Sequence, residues 1–169
     1  MDAAEVLRRL GERGETLAVA ESLTGGQLAA TIVDVPGAST VFRGGLVVYA
    51  TDLKHTLAGV PAGLLAERGP VDADVAAAMA AGARERCGAD WAVATTGVAG
   101  PGPADGVGAG TVFVAVVGPV GDPSVRSLRL SGDRAAVRAG TVAAALQLLA
   151  DRLDGPSGAG RPRTSGVPA

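Results

Sequence analysis

The chain has 169 residues, 15 basic and 17 acidic side chains, a formal net charge of −2, and 47% apolar but only 2% aromatic residues. That length supports one hydrophobic core, the charge balance supplies no broad cationic field for nucleic acid, and no segment reaches the roughly 18 apolar residues of a membrane span. A single cysteine, Cys87, and a single histidine, His55, exclude an intramolecular disulfide and a Cys/His zinc cluster; no cofactor is expected.

Met1-Asp2-Ala3-Ala4-Glu5 has neither the basic nor the apolar region of an export signal, and a soluble cytoplasmic protein is expected. Residues 3–13 place Val6, Leu7 and Leu10 on one side of a helix, with Gly14 able to supply the turn that ends it. Thr16 to Ala20 reads as a short buried strand, Glu21 to Gly26 as the turn after it, and Gly26 to Val33 as a helix broken by Pro36 and Gly37. Gly44 to Ala50 reads as a second buried strand. Thr51 or Asp52 can cap a short helix carrying Lys54, Pro61 suits the first turn of another, and Asp72 can cap an Ala-rich helix over 73–87.

Trp91 to Thr96 reads as a strand, and the Gly- and Pro-rich stretch 97–110 as a loop. Thr111 to Val117 and Val125 to Leu130 suggest an antiparallel hairpin. Asp133 can cap a last helix whose Val137, Val142, Leu146, Leu149 and Leu153 form a core-facing stripe. The expected fold is α/β: a three-layer α/β/α domain over 1–153 with a mixed, mostly parallel central sheet, followed by a disordered Gly/Pro-rich tail over 154–169.

Ser22 falls where a buried strand turns into a helix opening on Gly25 and Gly26, at the sheet edge that usually carries ligands. Unpaired amides there can hold an oxyanion or phosphate, although a serine or Thr24 at such a place can equally be a plain helix cap. A serine hydroxyl needs a base, and Lys54 and His55 are the two candidates; adjacent helix residues point apart, so only one can face the site. Lys54 is the chain's single lysine beside 14 arginines, which fits a role that arginine cannot fill, since an ammonium can lose its proton. Tyr49 stands five residues before it, and burial would lower the lysine from about 10.4 toward a useful base. Thr95 and Thr96 offer hydroxyls, and the amides of Gly97 and Val98 can meet a carbonyl oxygen or phosphate. Arg134 and Arg138, four apart on one helix face, are either a phosphate clamp or a solvated surface.

Ala20-Glu21-Ser22-Leu23-Thr24-Gly25-Gly26, then Gly45-Leu46-Val47-Val48-Tyr49 with Lys54, then Thr96-Gly97-Val98-Ala99-Gly100-Pro101-Gly102, and finally Gly132-Asp133-Arg134 with Arg138 resemble, in order, the C-terminal domain of the competence/damage-inducible protein CinA. The free-standing form of that family is nicotinamide-nucleotide amidohydrolase. The resemblance implies metal-free hydrolysis of nicotinamide mononucleotide to nicotinate mononucleotide and ammonia, with Ser22 as nucleophile, Lys54 as base and Tyr49 assisting. It implies a nucleotide site including Thr24, Gly25, Gly26, Thr96 and Arg138, and self-association into a homo-oligomer. Ala50-Thr51 replace the family's usual Ser-Asn, and the loop after Gly102 lacks its usual lysine-proline, so contacts there can differ. A non-catalytic nucleotide-binding module, or an amidase for another nucleotide amide, are the alternatives; a DNA-uptake partner is suggested by the family's name alone, against the absence of a basic patch.

Overall fold

The computed structural model describes residues 2–155, so most of the expected tail lies outside the described residues. The chain opens with α1 (Ala3–Arg13), capped by the Asp2 carboxylate at 2.9 Å from the Glu5 amide, and its Val6, Leu7 and Leu10 are buried. Gly14 ends the helix with a left-handed turn. Then come β1 (Leu17–Glu21), α2 (Gln27–Val33), a short 3-10 turn, β2 (Phe42–Val47), α3 (Thr51–Thr56), α4 (Ala62–Arg68) and α5 (Ala73–Cys87). The remainder is β3 (Trp91–Gly97), β4 (Thr111–Val117), β5 (Ser124–Arg129) and α6 (Arg134–Leu153). Asp72 and Asp133 cap α5 and α6 through backbone amides at 2.8 Å, the expected use of an aspartate before an apolar-periodic run.

The five strands form one mixed sheet in the order β2-β1-β3-β4-β5. β2, β1 and β3 are parallel, while β4 and β5 continue the sheet antiparallel as the expected hairpin. Strand alternation separates two cores. Leu17, Val19, Trp91, Val93, Val112, Val114 and Val116 face α1, α2 and α6. Ala18, Ala20, Ala92, Ala94 and Ala115 face the other way, toward Val75, Ala76, Met79, Ala80 and Ala83 of α5. The result is a three-layer α/β/α domain, its aromatic-poor composition being spent on an alanine face that lets α5 lie close to the sheet.

Two expectations are corrected. The second strand begins at Phe42 rather than Gly44 and ends at Val47. Of its two glycines, Gly45 stands where a neighbour leaves no room for a side chain: a Cβ there would meet Val19 Cγ2 at 2.6 Å. The register also shifts between Leu17 and Ala18, where the partners jump from Phe42 to Gly44. Neither Thr51 nor Asp52 caps α3; Ala50 precedes it without a side-chain bond, and both residues lie inside the first turn.

Because β1, β2 and β3 are parallel, their carboxyl ends, at Glu21, Val47 and Gly97, open on the same edge of the sheet. The segment after α3 is clamped to α5 at Gly82, where a Cβ would lie 1.6 Å from the Ala58 carbonyl oxygen. No side-chain adjustment relieves a clash with backbone. Gly82→Ala is therefore expected to destabilise the protein by about 2–3 kcal/mol in urea unfolding, despite alanine's better helix propensity; an unchanged or raised midpoint would show that the α3–α4 connection does not pack on α5 this way.

Candidate active site

Ser22 follows β1 directly, and its amide continues the sheet by donating to the Thr95 carbonyl at 3.0 Å. The turn after it is held from below by Glu21, whose fully buried carboxylate accepts from the amides of Gly26 and Leu28 at 3.0 Å and Ala29 at 2.8 Å. Three otherwise orphaned donors at the start of α2 are thereby satisfied by one internal anion. Gly25 donates its amide to the Ser22 carbonyl at 3.0 Å. This corrects the expectation of free amides at Gly25 and Gly26: the chain's own carboxylate and carbonyl already occupy them.

Lys54 sits on α3 with 1% of its surface exposed. Its Nζ lies 3.0 Å from Ser22 Oγ, 2.9 Å from the Val48 carbonyl oxygen and 3.2 Å from that of Tyr49. A protonated amine donates to all three. A neutral amine has two N–H bonds for the two carbonyls, which leaves its lone pair for the serine hydroxyl. Burial lowers Lys54 from its ordinary 10.5 to about 8, with the Asp105 carboxylate acting in the opposite direction. The neutral form is thus reachable near neutrality. His55, on the next position of α3, turns away and bonds through Nδ1 to the Val60 carbonyl at 2.7 Å.

A cavity of ≈ 360 Å³ opens over this pair, lined by Ser22, Lys54, Tyr49, Thr96, Gly97 and Arg134 among others. Tyr49 meets Lys54 only through its carbonyl. Its ring is more than half exposed, and its hydroxyl accepts from Arg134 Nη2 at 2.9 Å. Arg134 Nη1 also donates to the Gly100 carbonyl at 2.9 Å, which ties α6 to the glycine-rich loop. Thr96 is buried, and its hydroxyl donates to Pro70 O at 2.6 Å.

The other expected nucleotide contacts lie behind the serine turn, outside the cavity lining. Thr24 is buried and shares a 2.8 Å hydrogen bond with the Thr95 hydroxyl. Arg138 spends Nε on the Leu23 carbonyl at 3.0 Å and Nη2 on that of Thr24 at 2.8 Å, with Gly25 packed beside its guanidinium. Arg134 and Arg138 therefore do not form a paired clamp: one reaches the cavity and the other braces the turn that presents Ser22. Sequence reasoning did not single out Glu21 as the internal cap, nor Pro70, Val71 and Asp105 as cavity lining. The signal available for Glu21 was a carboxylate just ahead of a helix start that has no capping side chain of its own. Among the described residues no group of three or more His, Cys, Asp or Glu side chains is placed to hold a metal ion, and no helix is long and apolar enough to cross a membrane.

The sequence profile of the CinA C-terminal domain matches residues 2–153. The chain is 52% identical over 150 residues to a CinA-like protein of Frankia casuarinae, covering 89% of this chain and 34% of that protein. It is 51% identical over 149 residues to a CinA-like protein of Geobacter sulfurreducens, covering 88% and 36%. The chain thus spans about a third of the length of these curated relatives. Among solved structures, a competence-damaged protein (CinA) superfamily protein from Klebsiella pneumoniae superposes with a TM-score of 0.85 at 35% identity, over 89% of this chain and 94% of that one. A competence/damage inducible protein from Agrobacterium tumefaciens gives 0.82 at 34%, over 89% and 95%.

Because Lys54 is the only lysine, lysine-selective 13C labelling yields one side-chain signal in the spectrum of the whole protein. That signal is expected to titrate with a midpoint near 8, well below an exposed lysine. A midpoint above 10 would show that the amine is solvated or ion-paired and does not lose its proton near neutrality.

Proposed function

We propose that this chain, which belongs to the CinA C-terminal domain family, is an amidohydrolase that deamidates nicotinamide mononucleotide with Ser22 as nucleophile and Lys54 as base. The observation that carries the reading is the 3.0 Å contact between Ser22 Oγ and a buried lysine amine whose other two partners are fixed carbonyls. A buried lysine serving structure alone would be expected beside a carboxylate; this one is aimed at a hydroxyl at the floor of a cavity.

In the proposed reaction neutral Lys54 takes the proton of Ser22 as Oγ bonds to the carboxamide carbon. The oxyanion is met by cavity-lining amides, Gly97 at the end of β3 and Leu23 directly after the serine, since those of Gly25 and Gly26 are already engaged. Lysine returns the proton to the amide nitrogen, the C–N bond breaks and ammonia leaves. Water then attacks the acyl-serine, passing its proton to Lys54 and from there back to Ser22 Oγ as the carboxylic acid departs. Arg134 at the cavity wall is the group to hold the nucleotide phosphate, so binding energy distant from the amide orients it, and free nicotinamide is a poor substrate.

Ammonia release from nicotinamide mononucleotide tests this reading. Wild-type protein is expected to be active with chelator present, and Ser22→Ala and Lys54→Ala each to lose about 10³-fold or more in kcat. Below pH 8 kcat/KM is expected to fall about tenfold per unit as Lys54 takes up its proton, and to level off above it, because only the neutral amine is a base. Inactive wild-type protein that still binds the nucleotide would favour a non-catalytic nucleotide-binding module; activity on another nucleotide amide would keep the chemistry and change the substrate.

A further inference from the structure

Of the residues lining the cavity, three carry ionisable charge: Lys54, Arg134 and Asp105. Asp105 is the single carboxylate. Ala104 and Val107 exchange both backbone hydrogen bonds, at 3.0 and 2.8 Å, around Asp105-Gly106, and both central residues have positive φ, 50° and 73°. Those angles belong to a type I′ turn, for which Asp-Gly is a preferred pair. The carboxylate is thus carried on a tight turn at the cavity mouth.

Among the described residues no arginine, lysine or histidine stands within ion-pair distance of Asp105, although α6 brings Arg134 to the same cavity. Arg134 is directed instead at the Gly100 carbonyl and the Tyr49 hydroxyl. The Asp105 charge nonetheless reaches the reacting centre, since it raises the proton affinity of Lys54 against the effect of burial. Tyr49 supplies the cavity's one aromatic ring, so little π-surface is available for a cationic ligand. A carboxylate without an ion-pair partner, lining a cavity that already has a basic side chain for an anion, matches a ligand carrying both signs.

Resting on the reading above, we propose that Asp105 is a specificity-determining residue that selects amides borne on a cationic ring, such as a pyridinium, over the same amide on a neutral ring. A cationic ring beside Asp105 neutralises the carboxylate's field and adds a like charge near Lys54, both of which favour the neutral amine. The ligand that the carboxylate selects is therefore also the one that best prepares the base.

The test is calorimetric binding to Ser22→Ala protein, which does not turn over, using nicotinamide mononucleotide and its dihydro form, whose ring is uncharged. Ser22→Ala is expected to prefer the cationic ring by about threefold to tenfold at low ionic strength, with the preference shrinking as salt is added. Adding Asp105→Asn is expected to abolish the preference, and Asp105→Glu to keep most of it. Equal affinity for the two rings with Asp105 present, a preference that survives Asp105→Asn, or binding of neither ring would each overturn the proposal. A preserved preference in a protein that releases no ammonia would instead overturn the deamidase reading and leave this one standing.

Discussion

The arrangement depends on where a single amine is held. Lys54 is buried with no carboxylate against it, and the groups that fix it are the carbonyls of Val48 and Tyr49, at the point where the chain leaves β2. A carboxylate in their place would lock the lysine in its charged form. Carbonyls accept from either form, so the amine can change state without leaving a buried donor unpaired. Its third direction points at Ser22, and the rest of the fold keeps that alignment: β1 presents the serine, β2 positions the carbonyls, and α3 brings the lysine back under the sheet edge.

The serine turn is braced in a complementary way. Glu21 fills the start of α2 from inside, Arg138 reaches across from α6 to the carbonyls of Leu23 and Thr24, and the Thr24 and Thr95 hydroxyls join β1's turn to β3. Each brace satisfies polar groups that burial would otherwise leave unpaired, and together they restrict the backbone on both sides of Ser22. Thr24 and Arg138 thus hold the turn that presents Ser22, while the open cavity is bounded by the loop after β3, Tyr49 and Arg134.

Much of the architecture was legible in the sequence because local signals and burial agreed. The α5 helix is bracketed by Asp72 and Gly88, α6 follows Asp133 with a regular apolar stripe, and β1 and β3 are short apolar runs with clear boundaries. The start of β2 was not legible, because its glycines look like a turn until Val19 is seen pressing on Gly45. Lys54 could be picked out by composition alone. The division of labour between Arg134 and Arg138 could not, since helical spacing gives a shared face but not which end meets the cavity. Glu21 and Asp105 were hidden for a related reason: the first acts on amides up to eight residues along the chain, and the second lay in a loop whose glycine and proline content masked its Asp-Gly turn.

Whether Lys54 makes Ser22 a nucleophile is tested by catching the serine while it is acylated. Protein quenched with acid during turnover of nicotinamide mononucleotide, then digested and analysed by mass spectrometry, is expected to carry the pyridine-carbonyl group on Ser22, with no such adduct in Lys54→Ala protein treated identically. Turnover with no acylated Ser22 at any quench time, or an adduct that forms equally well without Lys54, would contradict the account.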